Sequence, residues 1–134
     1  MMFVDASAMV AMLTDESEGN RVARILEDAS SPVTSAIAIY ETSARLMSKS
    51  SLSGEEARRA VADFLKAANL RVVPIDRREA EMALIAFERF GKGRHPAALN
   101  LGDCFAYACA KAHDAPLLFV GDDFPQTDVD SVDD

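Results

Sequence analysis

Four acidic positions in this chain stand where a charge is out of keeping with its neighbours. Asp5 closes the short apolar run Met2-Phe3-Val4. Glu41 falls on the same helical stripe as Ile37, Tyr40, Ala44 and Met47. Asp103 lies in the first turn of Asn100 to Ala112, a stretch apolar nearly all the way round a helix and therefore expected to be buried. Asp122, with Asp123 beside it, follows the apolar run Pro116 to Val120. A carboxylate taken out of water alone is costly or takes up a proton. Several brought together repel one another unless a cation joins them. Oxygen donors with no cysteine or clustered histidine suit Mg²⁺ or Mn²⁺ and disfavour zinc. Such a site points to phosphoryl chemistry, in which a hard cation activates water for in-line attack.

Each acid also has a purely structural explanation. Asp5 can cap a helix, and Asp122 can form a turn. Glu41 can pair with Arg45 four residues on, in the favourable order. Asp103 can complete a capping box with Asn100, although Glu or Gln suits that position better. Position in the fold has to decide between these.

The elements that would carry the acids follow in order. Met2 to Val4 reads as a strand and Ala6 to Leu13 as a helix. Val22, Ile25, Leu26 and Ala29 stripe a second helix, broken by Ser30-Ser31-Pro32. Val33-Thr34 is a brief strand, and Ser35 caps a helix running to about Met47, with Ile37, Tyr40, Ala44 and Met47 as its apolar face. Ser53 and Glu56 form a capping box that opens a helix with Ala57, Ala60, Val61, Phe64, Leu65 and Ala68 inside. Arg71 to Ile75 is a third strand, and Asp76 with Glu79 opens a helix that Gly91 stops after Phe90. The loop Gly91-Lys-Gly-Arg-His-Pro leads into the Asn100 helix. Pro116 to Val120 is the fourth strand, and a last short strand near Val129 precedes an acidic tail from about Asp128. Strands alternating with helices imply an α/β fold with a mostly parallel sheet of four to five strands, covered on both faces. Ligands bind at the carboxyl edge of such sheets. Asp5 and Asp122 end strands there, and helices antiparallel to the strands begin there, which brings Asp103 and Glu41 to the same edge.

With 134 residues the chain is expected to be one domain, residues 1–134. No apolar run approaches membrane-spanning length, and no signal peptide is visible, so no membrane association is expected. Cys104 and Cys109 are five apart on one helix and face different ways, which fits free thiols in a reducing cytoplasm. Cys104, although beside Asp103, reads as core filling. The net charge of −8 argues against a general basic surface for nucleic acid, yet it leaves room for cations, two of which would halve it.

The chain resembles the PIN-domain ribonucleases, and most closely the VapC-type toxins of bacterial toxin–antitoxin pairs. The matching pieces are Phe-Val-Asp-Ala-Ser-Ala at Phe3 to Ala8, Tyr-Glu-Thr-Ser-Ala at Tyr40 to Ala44, Leu-Gly-Asp-Cys-Phe-Ala-Tyr-Ala at Leu101 to Ala108, and Leu-Leu-Phe-Val-Gly-Asp-Asp-Phe at Leu117 to Phe124, continuing to Asp128. The pieces come in the family order and span essentially the whole chain. The resemblance implies a compact three-layer α/β/α fold, usually homodimeric. It implies a Mg²⁺- or Mn²⁺-dependent endoribonuclease held inactive by a cognate antitoxin. On it, Asp5, Glu41 and Asp103 match the acidic motif positions, and Ser7 matches a residue that supports the first acid by hydrogen bonding. Asp122, nearer the strand end, is favoured as the fourth acid, with Asp123 kept open.

Lys92, Arg94 and His95, on a glycine-bounded loop before the Asn100 helix, could contact RNA phosphates or form a solvated basic loop. Two other functions compete with the endoribonuclease. A metal-dependent phosphohydrolase acting on DNA or a small phosphate ester would use the same acids, although the first motif lacks the Asp-x-Asp of one large phosphatase class. A non-catalytic PIN-fold module for binding or dimerisation would be expected to have lost an acid, and all four positions are filled here.

Overall fold

Four short strands run parallel in the order β3-β2-β1-β4. They are β1 (Met2–Val4), β2 (Pro32–Thr34), β3 (Arg71–Val72) and β4 (Leu117–Leu118). The structure, a computed structural model, describes residues 1–133. Six helices cover the sheet: α1 (Ala6–Leu13), α2 (Gly19–Glu27), α3 (Ala36–Lys49), α4 (Gly54–Ala67), α5 (Arg77–Phe90) and α6 (Leu101–Ala112). A 3₁₀ turn at Phe124–Gln126 follows β4.

The pleat sorts the strand residues into two cores. Phe3, Val33 and Leu117 face one way and pack with residues of α5 and α6, among them Ala83, Ala86, Phe90, Ala108 and Cys109. Met2, Val4 and Leu118 face the other way, against α1 and α2 together with Ala38, Phe64 and Leu65. This alternation gives the three layers. The sheet is buried on both faces, as a parallel sheet with helical crossovers must be. One polar tie crosses it, where the buried Thr34 hydroxyl donates to the Val4 carbonyl at 2.9 Å.

Helix starts follow the local capping chemistry. Ser35 accepts from the Ala38 amide, and both expected capping boxes, Ser53 with Glu56 and Asp76 with Glu79, are formed. The Asn100 helix is buried over Cys104 and Ala106 to Ala110, as its all-round apolar character requires.

Three expectations need correction. The third and fourth strands are shorter than Arg71 to Ile75 and Pro116 to Val120. The strand near Val129 does not form. A single bridge between Leu117 and Ser131 replaces it, so the sheet has four strands. The segment there is held by side chains: Tyr107 donates to the Asp128 carboxylate, and Arg89 and Lys111 each stand 3.6 Å from it. Arg21 reaches Asp133 at 2.8 Å.

The third correction concerns α3. Its buried face is Ala38, Thr42 and Leu46, whereas Tyr40, Ala44 and Met47 are exposed. Thr42 is tolerated inside because its hydroxyl donates to the Ala38 carbonyl at 2.8 Å, leaving no polar group unpaired. Leu46 packs with Ala57 and Val61 of α4 in a small satellite core. Leu46→Ala is expected to cost about 2–5 kcal/mol in urea unfolding, and Met47→Ala no more than about 0.5 kcal/mol. Equal losses would return the helix to the orientation its apolar stripe suggests.

Candidate active site

Asp5, Ser7, Glu41 and Asp103 line one open cleft of about 370 Å³ at the carboxyl edge of the sheet, with Ala6, Tyr40, Ala44, Arg45, Ser48 and Asn100. Each acid is placed by the end or the body of a different helix.

Asp5 leaves β1 and becomes the N-cap of α1, with extended backbone. Its Oδ2 accepts from the Ser7 amide at 3.0 Å and from the Ser7 hydroxyl at 2.6 Å. The Ser7 hydroxyl oxygen in turn accepts from the Val120 amide at 3.0 Å, so one side chain ties the end of β1 to the chain leaving β4. Asp5 is almost wholly buried. Burial pushes its carboxyl above the ordinary range, against the opposing pull of the Ser7 and Ala6 hydrogen bonds.

Asp103 is both cap and cleft acid. Its amide donates to Asn100 Oδ1 at 2.9 Å, while its Oδ2 accepts from the Asn100 amide at 3.1 Å, closing the capping box. Even with that hydrogen bond, burial and the charges of Asp5 and Asp123 lift its pKa to about 6. Glu41 lies one turn and a half into α3, half-buried. Burial first, then Asp5 and Asp103, raise it to about 7, opposed by Arg45. Its carboxylate occupies the space beside Gly102, where any added Cβ would fall inside it. The glycine in the first turn of α6 is therefore the seat of the glutamate from α3.

Of the acidic doublet, Asp123 is the one whose charge reaches Asp103. Asp122 and Asp123 are both exposed and neither is among the residues lining the cleft, and the Asp122 backbone carbonyl takes the Gln126 side-chain amide at 3.3 Å. Gly121 turns the chain between them and β4 with φ +123°, so nearness in sequence is no guide to nearness in space. Lys92, Arg94 and His95 are not among the residues lining the cleft. Arg94 lies over the Phe87 ring at 5.2 Å, and His95 Nδ1 accepts from the Ala97 amide within its own loop. Sequence reasoning missed Tyr40 and Arg45 as cleft residues. The signal was present, since both flank Glu41 on α3, but Tyr40 was assigned to the core. The thiols are inert: burial pushes Cys104 to about 11 and Cys109 to about 12.

The donor chemistry of the cleft fits a hard divalent cation. Burial raises all three carboxyls, Asp5 adds to the rise of both Glu41 and Asp103, and among the described residues Arg45 is the only basic one in the lining. Among the described residues, however, no three Asp, Glu, His or Cys side chains are gathered closely enough to hold an ion as they stand.

Comparison with known proteins gives the family and the fold. The PIN domain model matches residues 2–130, and the chain belongs to the PIN-domain family. It is 40% identical over 131 residues to a ribonuclease VapC of Mycolicibacterium smegmatis, covering 98% of this chain and 99% of that one. It is 42% identical over 130 residues to ribonuclease VapC36 of Mycobacterium tuberculosis, covering 96% and 91%. In fold it is similar to the crystal structure of VapC20 from M. tuberculosis, described as a sarcin-ricin loop cleaving toxin. The TM-score is 0.78 with 19% identity, and 98% of each chain is covered. Among the described residues no helix is long and apolar enough to cross a membrane.

The raised carboxyls have a measurable consequence. Burial first, then neighbouring charge, lifts Glu41 to about 7 from its ordinary 4.5 and Asp103 to about 6 from 3.8 on folding. Between those limits the folded state binds more protons, so stability falls as pH rises from about 4 to 7 and stays low above. The melting temperature in EDTA is expected to be a few degrees higher at pH 5 than at pH 8. Glu41→Gln should flatten that difference and raise the value at pH 8. A melting temperature that rises with pH in this window would contradict the assignment.

Proposed function

We propose that the chain is a Mg²⁺- or Mn²⁺-dependent endoribonuclease, the toxin of a toxin–antitoxin pair, hydrolysing RNA phosphodiester bonds in the cytoplasm. The observation that carries this is the cleft that Asp5, Glu41 and Asp103 line together, in which burial first, and then neighbouring carboxylates, raise Glu41 and Asp103. The names of its relatives at about 40% identity support the choice of RNA.

In this reading Asp5, Glu41 and Asp103 hold the ion, with Asp123 as the fourth acid ahead of Asp122. The bound ion supplies Lewis acidity for the attack of water and charge for the phosphoryl group. Ser7 fixes Asp5 by donating to Oδ2 and favours its charged form against the opposing push of burial. The Asn100 amide does the same for Asp103 Oδ2, leaving Oδ1 outside the capping box. Glu41, lifted to about 7 in the ion-free cleft by burial first and then by Asp5 and Asp103, would return to its charged form as a ligand of the ion. The partners are a cognate antitoxin and a second copy of the chain. Exposed Leu84 and Leu101, lining an apolar groove of about 360 Å³ with Phe87 and Phe105, support a protein interface on the α5–α6 side.

A non-catalytic binding module draws on one observation, the lack among the described residues of a ready-gathered ion site. One experiment separates the two. Purified protein freed of antitoxin is incubated with total cellular RNA and Mg²⁺, Mn²⁺ or EDTA, beside Asp103→Asn. Discrete fragments are expected with either metal and none with EDTA, and the mutant should be slower by at least about a hundredfold. A folded chain that cuts nothing with either metal selects the binding module.

Gly102→Ala gives a finer check. The three atoms nearest the added methyl all belong to the flexible end of Glu41, so the melting temperature should stay within a few degrees of wild type. Cleavage should fall toward the level of Glu41→Gln. Wild-type activity in Gly102→Ala would remove Glu41 from the site.

A further inference from the structure

One wall of the cleft is not accounted for by the acids. Tyr40, Ala44 and Ser48 follow one another at single-turn spacing on α3, with Glu41 and Arg45 in the adjoining row, and all five line the cleft. Tyr40 is 73% exposed. Among the described residues its ring stacks on no other ring, and its hydroxyl has no hydrogen-bond partner. Arg45 stands one helical turn from Glu41, yet among the described residues its guanidinium closes no ion pair. Its charge is felt by Glu41 and Glu16 without being spent on either.

An acid-walled cleft repels a polyanion, so a substrate of that kind needs a cation and an uncharged contact surface at the rim. An uncovered aromatic ring supplies a stacking face for any base that has left its own stack, and an unpaired guanidinium supplies a phosphate contact. A duplex would present only its backbone to such a wall, because its bases are already stacked. We propose that Tyr40 and Arg45 are the substrate-binding wall of the cleft, Tyr40 stacking a base of single-stranded RNA and Arg45 contacting a phosphate next to the one that is cut. This rests on the endoribonuclease reading and adds to it which end of the cleft the substrate enters and in what form. The basic loop of Lys92, Arg94 and His95, which lies outside the cleft lining, has no part in this contact.

The test uses the full chain and total cellular RNA with Mn²⁺, with initial cleavage rates followed over RNA concentration and over salt. Tyr40→Ala should raise the half-saturating RNA concentration by roughly five- to a hundredfold, the range expected for a lost stacked base, and leave the maximal rate within about twofold. Tyr40→Phe, which keeps the stacking face, should restore wild-type saturation. Arg45→Gln should weaken saturation several-fold and lower the log–log salt slope by about one. Both side chains are exposed, so circular dichroism and melting temperature should match wild type. Wild-type saturation and salt slope in both Tyr40→Ala and Arg45→Gln, in a protein that cuts RNA, would overturn this wall alone. Equal loss in Tyr40→Phe and Tyr40→Ala would overturn stacking. Failure of the wild type to cut RNA at all would overturn the endoribonuclease reading, and the wall with it.

Discussion

Like charge held in a small, poorly hydrated space is the constraint on which this molecule is built. Asp5, Glu41 and Asp103 come from three separate segments and converge although burial penalises the charge on each and Asp5 raises the other two further. Nothing in their mutual electrostatics would keep them there. What does is the backbone: β1 delivers Asp5 into the cap of α1, the first turn of α6 locks Asp103, and α3 lays Glu41 against a glycine. The parallel sheet aligns all three events on one edge, and the two apolar cores on its faces make that edge rigid. The stability of the cores offsets a local conflict, which is the usual relation between a scaffold and a strained site.

The choice between cap and functional acid, open for Asp5 and Asp103 from sequence, dissolves in the structure because the two roles use the same geometry. A capping carboxylate is fixed by backbone amides, faces the positive end of a helix, and keeps one oxygen outside the cap. Those are the qualities wanted in a cation ligand. Glu41 differs, since the middle of a helix gives it no such restraint. Its position depends on the absence of a side chain at Gly102, and its pKa is displaced further than that of Asp103.

Much of the fold was legible because its signals are local. Capping boxes at Ser53, Asp76 and Asn100 and the apolar runs Met2 to Val4 and Leu117-Leu118 each specify themselves within a few residues. Misreadings arose where tertiary context rules. On α3 a stripe count favours Tyr40 and Met47 over the small Ala38 and polar Thr42, yet close packing against α1 and α6 selects the small face. Asp122 and Asp123 could not be told apart from sequence, because Gly121 redirects the chain after β4. A strand near Val129 was suggested by apolar pattern, but that segment is moored by Asp128 and a single bridge. Of the cleft, Asp5, Glu41 and Asp103 were visible from residue type and order, and Ser7 from the family resemblance. The open wall of Tyr40 and Arg45 was hidden, because exposure is a property of the assembled surface.

The Ser7 hydroxyl has a consequence that reaches beyond hydrogen-bond strength. Its oxygen is already engaged as acceptor for the Val120 amide, so its one proton has a fixed destination at Asp5 Oδ2. The wiring is therefore polar in direction: the bond cannot be reversed without breaking the link to the chain leaving β4. An alanine loses both ends, an asparagine cannot offer donor and acceptor from one atom, and a cysteine does so only weakly. Position 7 has a vocabulary of two letters, serine and threonine. A single hydroxyl thereby writes into the sequence a rule that neither hydrophobicity nor helix propensity would impose.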